Sequence, residues 1–369
     1  MKEGWTYKKL GEIANVVHGK NQKDVLSDEG QYPIYGSGGN IMGYATDYLC
    51  EAGSTILGRK GSINNPQFIE ERFWNVDTAF GITPKDDNCS KFIYYFIKSI
   101  DWSKKNTGTT LPSLTQQVVK EVVIPVPKPL EQQRIVSRLD AAFAHIDALK
   151  VNAEKQLSEA RTLFQKALEE AVKPKEGWEE KKLKELSEIA GDYGLNVSSK
   201  SFDGVRYLRI TDITDMGDLN DDKVSANLEN GKNQEELQEG DILFARTGAT
   251  VGKTLVFRKE FGECLYAGYL IRYRLKKNVI LPRFMHYVTH SNEYYDWVTT
   301  NQEAAAQPNI SAKKYNLLLV RYPTTTKQQH IVSRLDSLSE HVKQLEATQR
   351  QVIAECDALK QAMLRKVFE

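Results

Sequence analysis

The sequence predicts an α+β protein built twice: two globular segments, each followed by a long helix, with the helices paired as an antiparallel coiled coil. Two observations predict it. The segment QQRIVSRLD at Gln132–Asp140 returns as QQHIVSRLD at Gln328–Asp336. Each copy opens a run in which apolar residues recur at alternating intervals of four and three. Self-similarity on this scale makes the architecture a pseudo-twofold internal repeat.

The elements follow in order. Residues 1–130 form the first globular segment and 131–172 a central helix. Residues 173–326 form the second globule and 327–369 a C-terminal helix. Two further anchors tie the globules together: EGWTYKKLGEI at Glu3–Ile13 matches EGWEEKKLKEL at Glu176–Leu186, and AGSTILGRKGS at Ala52–Ser62 matches EGDILFARTGA at Glu239–Ala249. Offsets between copies grow from 173 to 187 to 196 residues along the three anchors. The second half has therefore gained about 14 and then about 9 residues between anchors, the pattern of a frame kept while the material between it diverges.

The first helical seam reads Ile135, Leu139, Ala142, Ile146, Leu149, Ala153, Gln156, Ala160, Leu163, Ala167. The second reads Ile331, Leu335, Leu338, Val342, Leu345, Gln349, Val352, Cys356, Leu359, Met363. A 3.5-residue period sustained this long calls for a partner helix, and two matched seams in one chain favour mutual antiparallel pairing. Gln156 and Gln349 are expected to fix register. Pro129 and Glu131 suit the first turn of one helix, and Thr326 to Gln329 fits a capping box at the start of the other. Pro174 and Gly177 stop the first helix. At 1.5 Å per residue, about 42 residues make a rod of roughly 63 Å.

Length allows two domains of ordinary size plus the helices. No apolar run is long enough to span a bilayer, and MKEGWTYKKL is too charged for a signal peptide, so a cytoplasmic location and no membrane partner are expected. Cys50, Cys89, Cys264 and Cys356 show no CxxC spacing, and Cys356 falls on a seam as a small hydrophobe. Lysine and arginine number 50 against 49 acidic residues. A self-sufficient nucleic-acid binder is usually far more basic. Charge thus leaves two alternatives: no DNA binding, or basic residues gathered on one face with a partner supplying more.

No catalytic constellation emerges. In TGATVGKT at Thr247–Thr254, Gly248 is followed by three residues before Gly252-Lys253-Thr254, one fewer than a phosphate-binding loop needs. The glycines of YGSGGNIMGY do not fit GxGxxG and are expected in turns. His286 and His290 lack the glutamate of HExxH, so a core or surface role is expected for them and no metal. The acidic stretch Asp212–Asp222 is expected to be a solvated loop. Arg59, Lys60 and Ser62 follow the apolar strand TIL, and Arg246 and Thr247 follow DILF at the equivalent place, with Thr250 and Lys253 farther along. A strand delivering arginine to a glycine-flexed loop suits phosphate or base-edge contact. Lys104, Lys105, Thr107 and Thr109, before LPSLT, offer cations and hydroxyls, and Asn301–Asn309 is the matching polar loop. These are the expected DNA-binding residues.

PIYGSGGNIMGY, ILGRKGS, GTTLPSL and EQQRIVSRLD, with a second half built alike, resemble the specificity (S) subunit of type I restriction-modification systems over essentially the whole chain. The second half departs by lacking a YGSGG counterpart and by placing Gln307-Pro308-Asn309-Ile310 where the first has Leu111-Pro112-Ser113-Leu114. The resemblance implies two target-recognition domains, each reading half of a split, asymmetric double-stranded DNA target through the major groove. It implies helices that space the half-sites and dock two methyltransferase (modification) subunits, with restriction (translocase/nuclease) subunits added. No cofactor is expected in this chain; S-adenosylmethionine, ATP and Mg belong to the partner subunits. The competing readings are a coiled-coil scaffold that reads no DNA and a nucleotide-binding enzyme using the Lys253 loop.

Overall fold

A computed structural model describes residues 4–228, 236–302 and 307–369. The chain divides into two compact units, residues 1–155 with 348–369, and residues 156–347. Both long helices contribute to both units. The helical segments therefore belong to the cores of the domains and are not separate bodies beside them.

In unit 1, β1 (Ala14–His18), β2 (Tyr32–Tyr35), β3 (Ile41–Ala45), β4 (Ser54–Gly58), β5 (Gln67–Ile69), β6 (Trp74–Asn75) and β7 (Ala79–Pro84) precede α1 (Ser90–Ser99). One antiparallel sheet has the order β1-β7-β4-β5. A second is built on β2, antiparallel to β3 and parallel to β6. All five residues of β4 are buried, which its small and apolar side chains permit. Leu57, Phe80 and Ile82 meet Phe92, Ile93 and Phe96 of α1 in one core, and fully burying each such side chain stabilises the fold by roughly 1.5–3 kcal/mol. The first long helix, α2 (Pro129–Val172), adds Val136, Leu139, Phe143 and Ile146 to this core.

Unit 2 repeats the plan. Its strands β8 (Ser187–Tyr193), β9 (Arg206–Leu208), β10 (Ile242–Ala245), β11 (Thr254–Val256), β12 (Cys264–Tyr266) and β13 (Leu270–Leu275) precede α3 (Pro282–Val288). The antiparallel sheet is β8-β13-β10-β11, and β9 pairs parallel with β12 as β2 does with β6. The second long helix is α4 (Thr325–Phe368). Each long helix has 44 residues and starts two residues before the expected boundary.

Two residues of the repeated motif seat each helix. Buried Gln132 accepts the N–H of Cys89, the residue capping α1, at 2.9 Å and donates to the Pro127 carbonyl at 3.1 Å. Buried Gln328 accepts the N–H of Leu281, the residue capping α3, at 2.8 Å and donates to Pro323 and Val279. Asp140 accepts from Tyr95 and pairs with Lys91 at 3.2 Å; Asp336 accepts from Tyr287 and pairs with Arg283 at 2.7 Å. Gln328 lies inside the helix that begins at Thr325, and it is this clamp, not a Thr326–Gln329 capping box, that its surroundings show.

The helices pair antiparallel within each unit. In unit 1 Asp147 meets Lys360, and three residues on, Lys150 meets Asp357 at 3.0 Å. In unit 2 Arg161 meets Glu346 at 2.7 Å, and Phe164, Leu168 and Val172 pack with Leu335. Of the expected seam, Leu139, Ile146, Ala153, Leu335 and Cys356 are buried, while Ile135, Ile331, Val342 and Leu345 are half-buried. Leu149, Leu163 and Leu359 are corrections: they are 56, 65 and 50 % exposed. Along α2 the alternate seam positions sit one residue later, at Val136, Phe143 and Phe164, because the aromatic rings fill the groove better than Ala142 or Leu163. Lys150 and Lys360 occupy the same stripe, covering it with their stems and holding their charges at its rim. Gln156 is exposed, so it does not set register from a buried position.

Asp212–Asp222 is also corrected. Asp212 is buried and paired with Arg209 at 2.7 Å, and Asp218 binds Arg258 and Lys343, each at 2.8 Å. A denser charge cluster crosses the main sheet of unit 2. Asp241, 1 % exposed, accepts from Arg274 at 2.8 and 2.9 Å and lies 3.9 Å from buried Arg272. Arg272 also reaches Asp192 at 2.6 Å.

His286 and His290 are core residues, their ring centroids 4.3 Å apart. His286 is 5 % exposed, and its Nδ1 has no hydrogen-bond partner among the described residues. Burial, then His290 and the cations Arg283, Arg258 and Lys343, hold its pKa well below the usual histidine value. The unfolded chain, with histidine near 6.5, takes up a proton that the native state refuses. The stabilisation is thus present above about pH 6.5 and lost as pH falls below it towards the native value. Unit 2 should therefore melt at progressively lower temperature from about pH 6.5 down to 5, and His286→Gln should flatten that slope in calorimetry. An unchanged slope would show that His286 is not the group responsible.

Candidate nucleic-acid interface

Each main sheet delivers one arginine to the surface, and the loops on either side lock together in the same way. In unit 1, β4 ends at Gly58 and Arg59 follows. Its N–H donates to Thr78 at 2.8 Å and its carbonyl accepts from Leu114 at 2.9 Å. Lys60 bridges Ser113, and the Gly61 N–H donates to Pro112 at 2.9 Å. In unit 2, β10 ends at Ala245. The Arg246 N–H donates to Tyr269 at 3.0 Å and its carbonyl accepts from Ile310 at 2.8 Å. Thr247 bridges Asn309, and the Gly248 N–H donates to Pro308 at 2.9 Å. Gly61 and Gly248 both take positive φ, 79° and 72°, which glycine adopts without steric cost. The expected match of Arg59 with Arg246, and of Leu111–Leu114 with Gln307–Ile310, holds bond for bond.

The side chains on this shared frame differ. In unit 1, Lys60, Ser62, Lys105 and Thr109 are exposed, and their side chains make no hydrogen bond to the protein among the described residues. Lys104 is exposed beside Asp101, and Thr107 is exposed with its hydroxyl donating to Ser113 at 3.1 Å. Asn106 organises the loop by accepting from Gly108 and Ser113 at 2.9 and 2.8 Å. Arg59, half-buried, is steadied by one bond from Nη1 to Asp77 at 2.9 Å. The seven cationic and hydroxyl groups named from Arg59 to Ser62 and Lys104 to Thr109 thus share one patch, although they come from two sequence segments.

In unit 2, Arg246 lies over the Tyr193 ring at 5.0 Å and donates to Asn309 at 3.3 Å, with exposed Tyr269 alongside. Thr247 is corrected: its side chain is buried and presents little to a partner. Thr250 donates to the Thr247 carbonyl at 3.3 Å. Lys253 pairs with Asp215 at 2.6 Å on the wall of a cavity of about 490 Å³. The N–H groups of Gly248, Val251, Gly252 and Lys253 all donate to backbone carbonyls. A phosphate-binding loop must present such groups free. Of the Asn301–Asn309 loop, residues 303–306 lie outside the described residues.

Three contributors were missed in the sequence. Asn40, carried by the glycine turn Gly36–Asn40, faces Gly38 as Ser62 of the Arg59 patch does, and Asn65 donates to the Gly38 carbonyl; Tyr193 and Tyr269 flank Arg246. The glycines had announced a turn, and nothing local said which loop it would join. No described helix is long and apolar enough to cross a membrane.

The model of the type I restriction modification DNA specificity domain matches residues 2–159 and again 175–355, one match per repeat. The chain is 22% identical over 344 residues to the EcoBI specificity subunit of Escherichia coli, covering 85% of this chain and 72% of that one. It is 28% identical over 305 residues to the EcoKI specificity subunit of Escherichia coli K12, covering 76% of this chain and 65% of that one. Among solved structures, a chain described in terms of complex assembly and conformational transition of the type I R-M system has a TM-score of 0.77 at 18% identity, covering 99% of this chain and 98% of its own. The HsdS subunit of Thermoanaerobacter tengcongensis has a TM-score of 0.58 at 19% identity, over 100% and 97% of the two chains. With both halves matched, the chain belongs to the type I restriction-modification DNA specificity family, as a specificity subunit that confers DNA-sequence specificity.

Proposed function

We propose that this chain reads an asymmetric, two-part double-stranded DNA target, one half with the Arg59 surface and the other with the Arg246 surface. The observation that carries this reading is the shared loop junction dressed with unlike side chains: lysines, hydroxyls and glycines in unit 1, aromatic rings around a single arginine in unit 2. One frame delivers two chemistries, so the two half-sites differ. Near-neutral net charge fits a chain that does not hold DNA alone. In this reading two methyltransferase subunits and the restriction subunits complete the complex, with the 44-residue helices spacing the half-sites. S-adenosylmethionine, ATP and Mg act on those subunits, and the assembly works in the cytoplasm, where the DNA is.

Methylation-site sequencing of cells that express the chain with its partner subunits tests the reading. The expected result is a bipartite motif with two different halves. A palindromic motif would contradict it, and no motif at all would remove the DNA-reading role.

A further inference from the structure

Four glycines lie where three loops of unit 1 come together, and at Gly58 and Gly39 the approach is too close for a side chain. A Cβ on Gly58 would stand 2.2 Å from the Ser62 carbonyl and 3.1 Å from that of Ser37. One on Gly39, already at φ 83°, would stand 2.5 Å from Gln67. One on Gly36 would stand 2.9 Å from the Asn40 Oδ1 and 3.2 Å from the Met42 sulfur, and one on Gly38 would touch both Asn40 and Ser62. The turn is closed by Gly36 N–H donating to Asn40 at 3.0 Å, and Asn65 donates to the Gly38 carbonyl at 3.4 Å. The Asn40 main chain is thereby held in place.

Its side chain is not used by the fold. The Asn40 carboxamide is exposed and makes no hydrogen bond to the protein among the described residues. It lies across Gly36 and Gly38 beside Ser62, itself unbonded, within the patch that carries Arg59 and Lys60. On its other side Ile41, Met42 and Tyr44 are about half exposed along β3, an edge strand of its sheet. Holding a carboxamide and a methionine outward on a rigid turn, between cations and apolar side chains, does nothing for stability. It does suit one base pair. A carboxamide donates to N7 and accepts from N6 of adenine in the major groove, while an apolar neighbour meets the thymine methyl.

We propose that Asn40 reads an adenine in the half-site of unit 1, with Met42 or Ile41 against a thymine methyl, and Lys60 on the flanking phosphates. The proposal rests on the DNA-reading function above. Among the described residues, unit 2 has no equivalent asparagine turn after its matching strand. At the end of β9 it carries Arg209, which is paired with Asp212 and Asp222.

The test compares methylation maps from cells expressing the wild-type chain, Asn40→Ala or Asn40→Asp with the partner subunits. Wild type should require adenine at one fixed position of one half. Asn40→Ala should accept other bases there, with methylation at such sites rising at least about fivefold, since one bidentate pair discriminates by roughly 5- to 150-fold. Asn40→Asp should shift the preference towards cytosine, whose N4 amino group donates. The other half-site should stay fully specified, which also shows that the variants fold and assemble. A second measurement needs no variant: 7-deazaadenine placed singly in the target should weaken binding of the wild-type complex at one adenine in that half. Unchanged variant motifs, or methylation lowered equally at all sites, would overturn the assignment, as would tolerance of 7-deazaadenine throughout the half. A wild-type chain with no motif would instead refute the DNA-reading function.

Discussion

Replacing Asp241 with alanine should cost unit 2 about 3–5 kcal/mol and lower its melting temperature by roughly 6–20 °C. Asp241 is 1 % exposed and stands between Arg274, bonded at 2.8 Å, and Arg272, 2 % exposed. Both guanidiniums keep their charge at any accessible pH, so neither can escape by losing a proton. Removing the carboxylate leaves two cations in a region that water does not reach, and that desolvation outweighs whatever the ion pairs contribute when intact. Asp192→Ala, at the solvent-facing end of the cluster, should cost less, because Arg272 would keep Asp241 and gain water. Unit 1 has its own core and should melt unchanged. Calorimetry of the three proteins decides the matter: an Asp241→Ala variant within 2 °C of wild type, a threshold of about 1 kcal/mol at most, would mean that the guanidiniums are solvated in the native state.

Arg59→Ala and Arg246→Ala should each impair one half-site and spare the other. If the guanidinium forks onto a guanine, each change should cost about 1–3 kcal/mol and relax the preference at one position. Arg59 makes one side-chain bond at Nη1 and Arg246 one at Nε, which orients each fork while leaving donors for DNA. Arg59→Lys and Arg246→Lys should not rescue, because an ammonium cannot make the two parallel bonds. A phosphate contact would weaken all sequences alike and reduce the salt dependence by about one counterion. Competition binding with single-base variants at two salt concentrations separates these results. Unchanged affinity for both alanine variants would remove the junction loops from the interface.

Much of this architecture was legible in the sequence, because duplication supplies its own alignment. The match of Arg59 to Arg246, made from neighbouring strand and glycine residues, is reproduced by the Gly61–Pro112 and Gly248–Pro308 hydrogen bonds. The phase of the coiled coil was less legible for a simple reason. At Ile135-Val136, Ala142-Phe143 and Leu163-Phe164 two adjacent residues are both apolar, and a period of 3.5 accepts either. Packing chose the later residue, whose ring or branch filled the groove, and left Leu163 outside. Thr247 was misread because a hydroxyl next to an arginine looks available, whereas the bridge to Asn309 turns it inward. Gln132 and Gln328 look like surface polar residues at the start of a helix. Nothing in their local sequence says that a distant backbone N–H awaits each one.

That amide clamp has a consequence for how such a protein changes its target. On the domain side it engages only main-chain groups, the N–H of residue 89 or 281 and carbonyls at 127, 279 and 323. Main-chain groups are the same whatever the side chains are. The one polar side-chain demand is at Asp140 or Asp336, which needs a cation and a tyrosine one turn apart, met by Lys91 and Tyr95 or by Arg283 and Tyr287. A domain that meets that requirement and offers an apolar face to the helix can be seated without the helix altering. The loops are thus at liberty to vary, and the recognised sequence can be exchanged as a cartridge while the rest of the machine stays untouched.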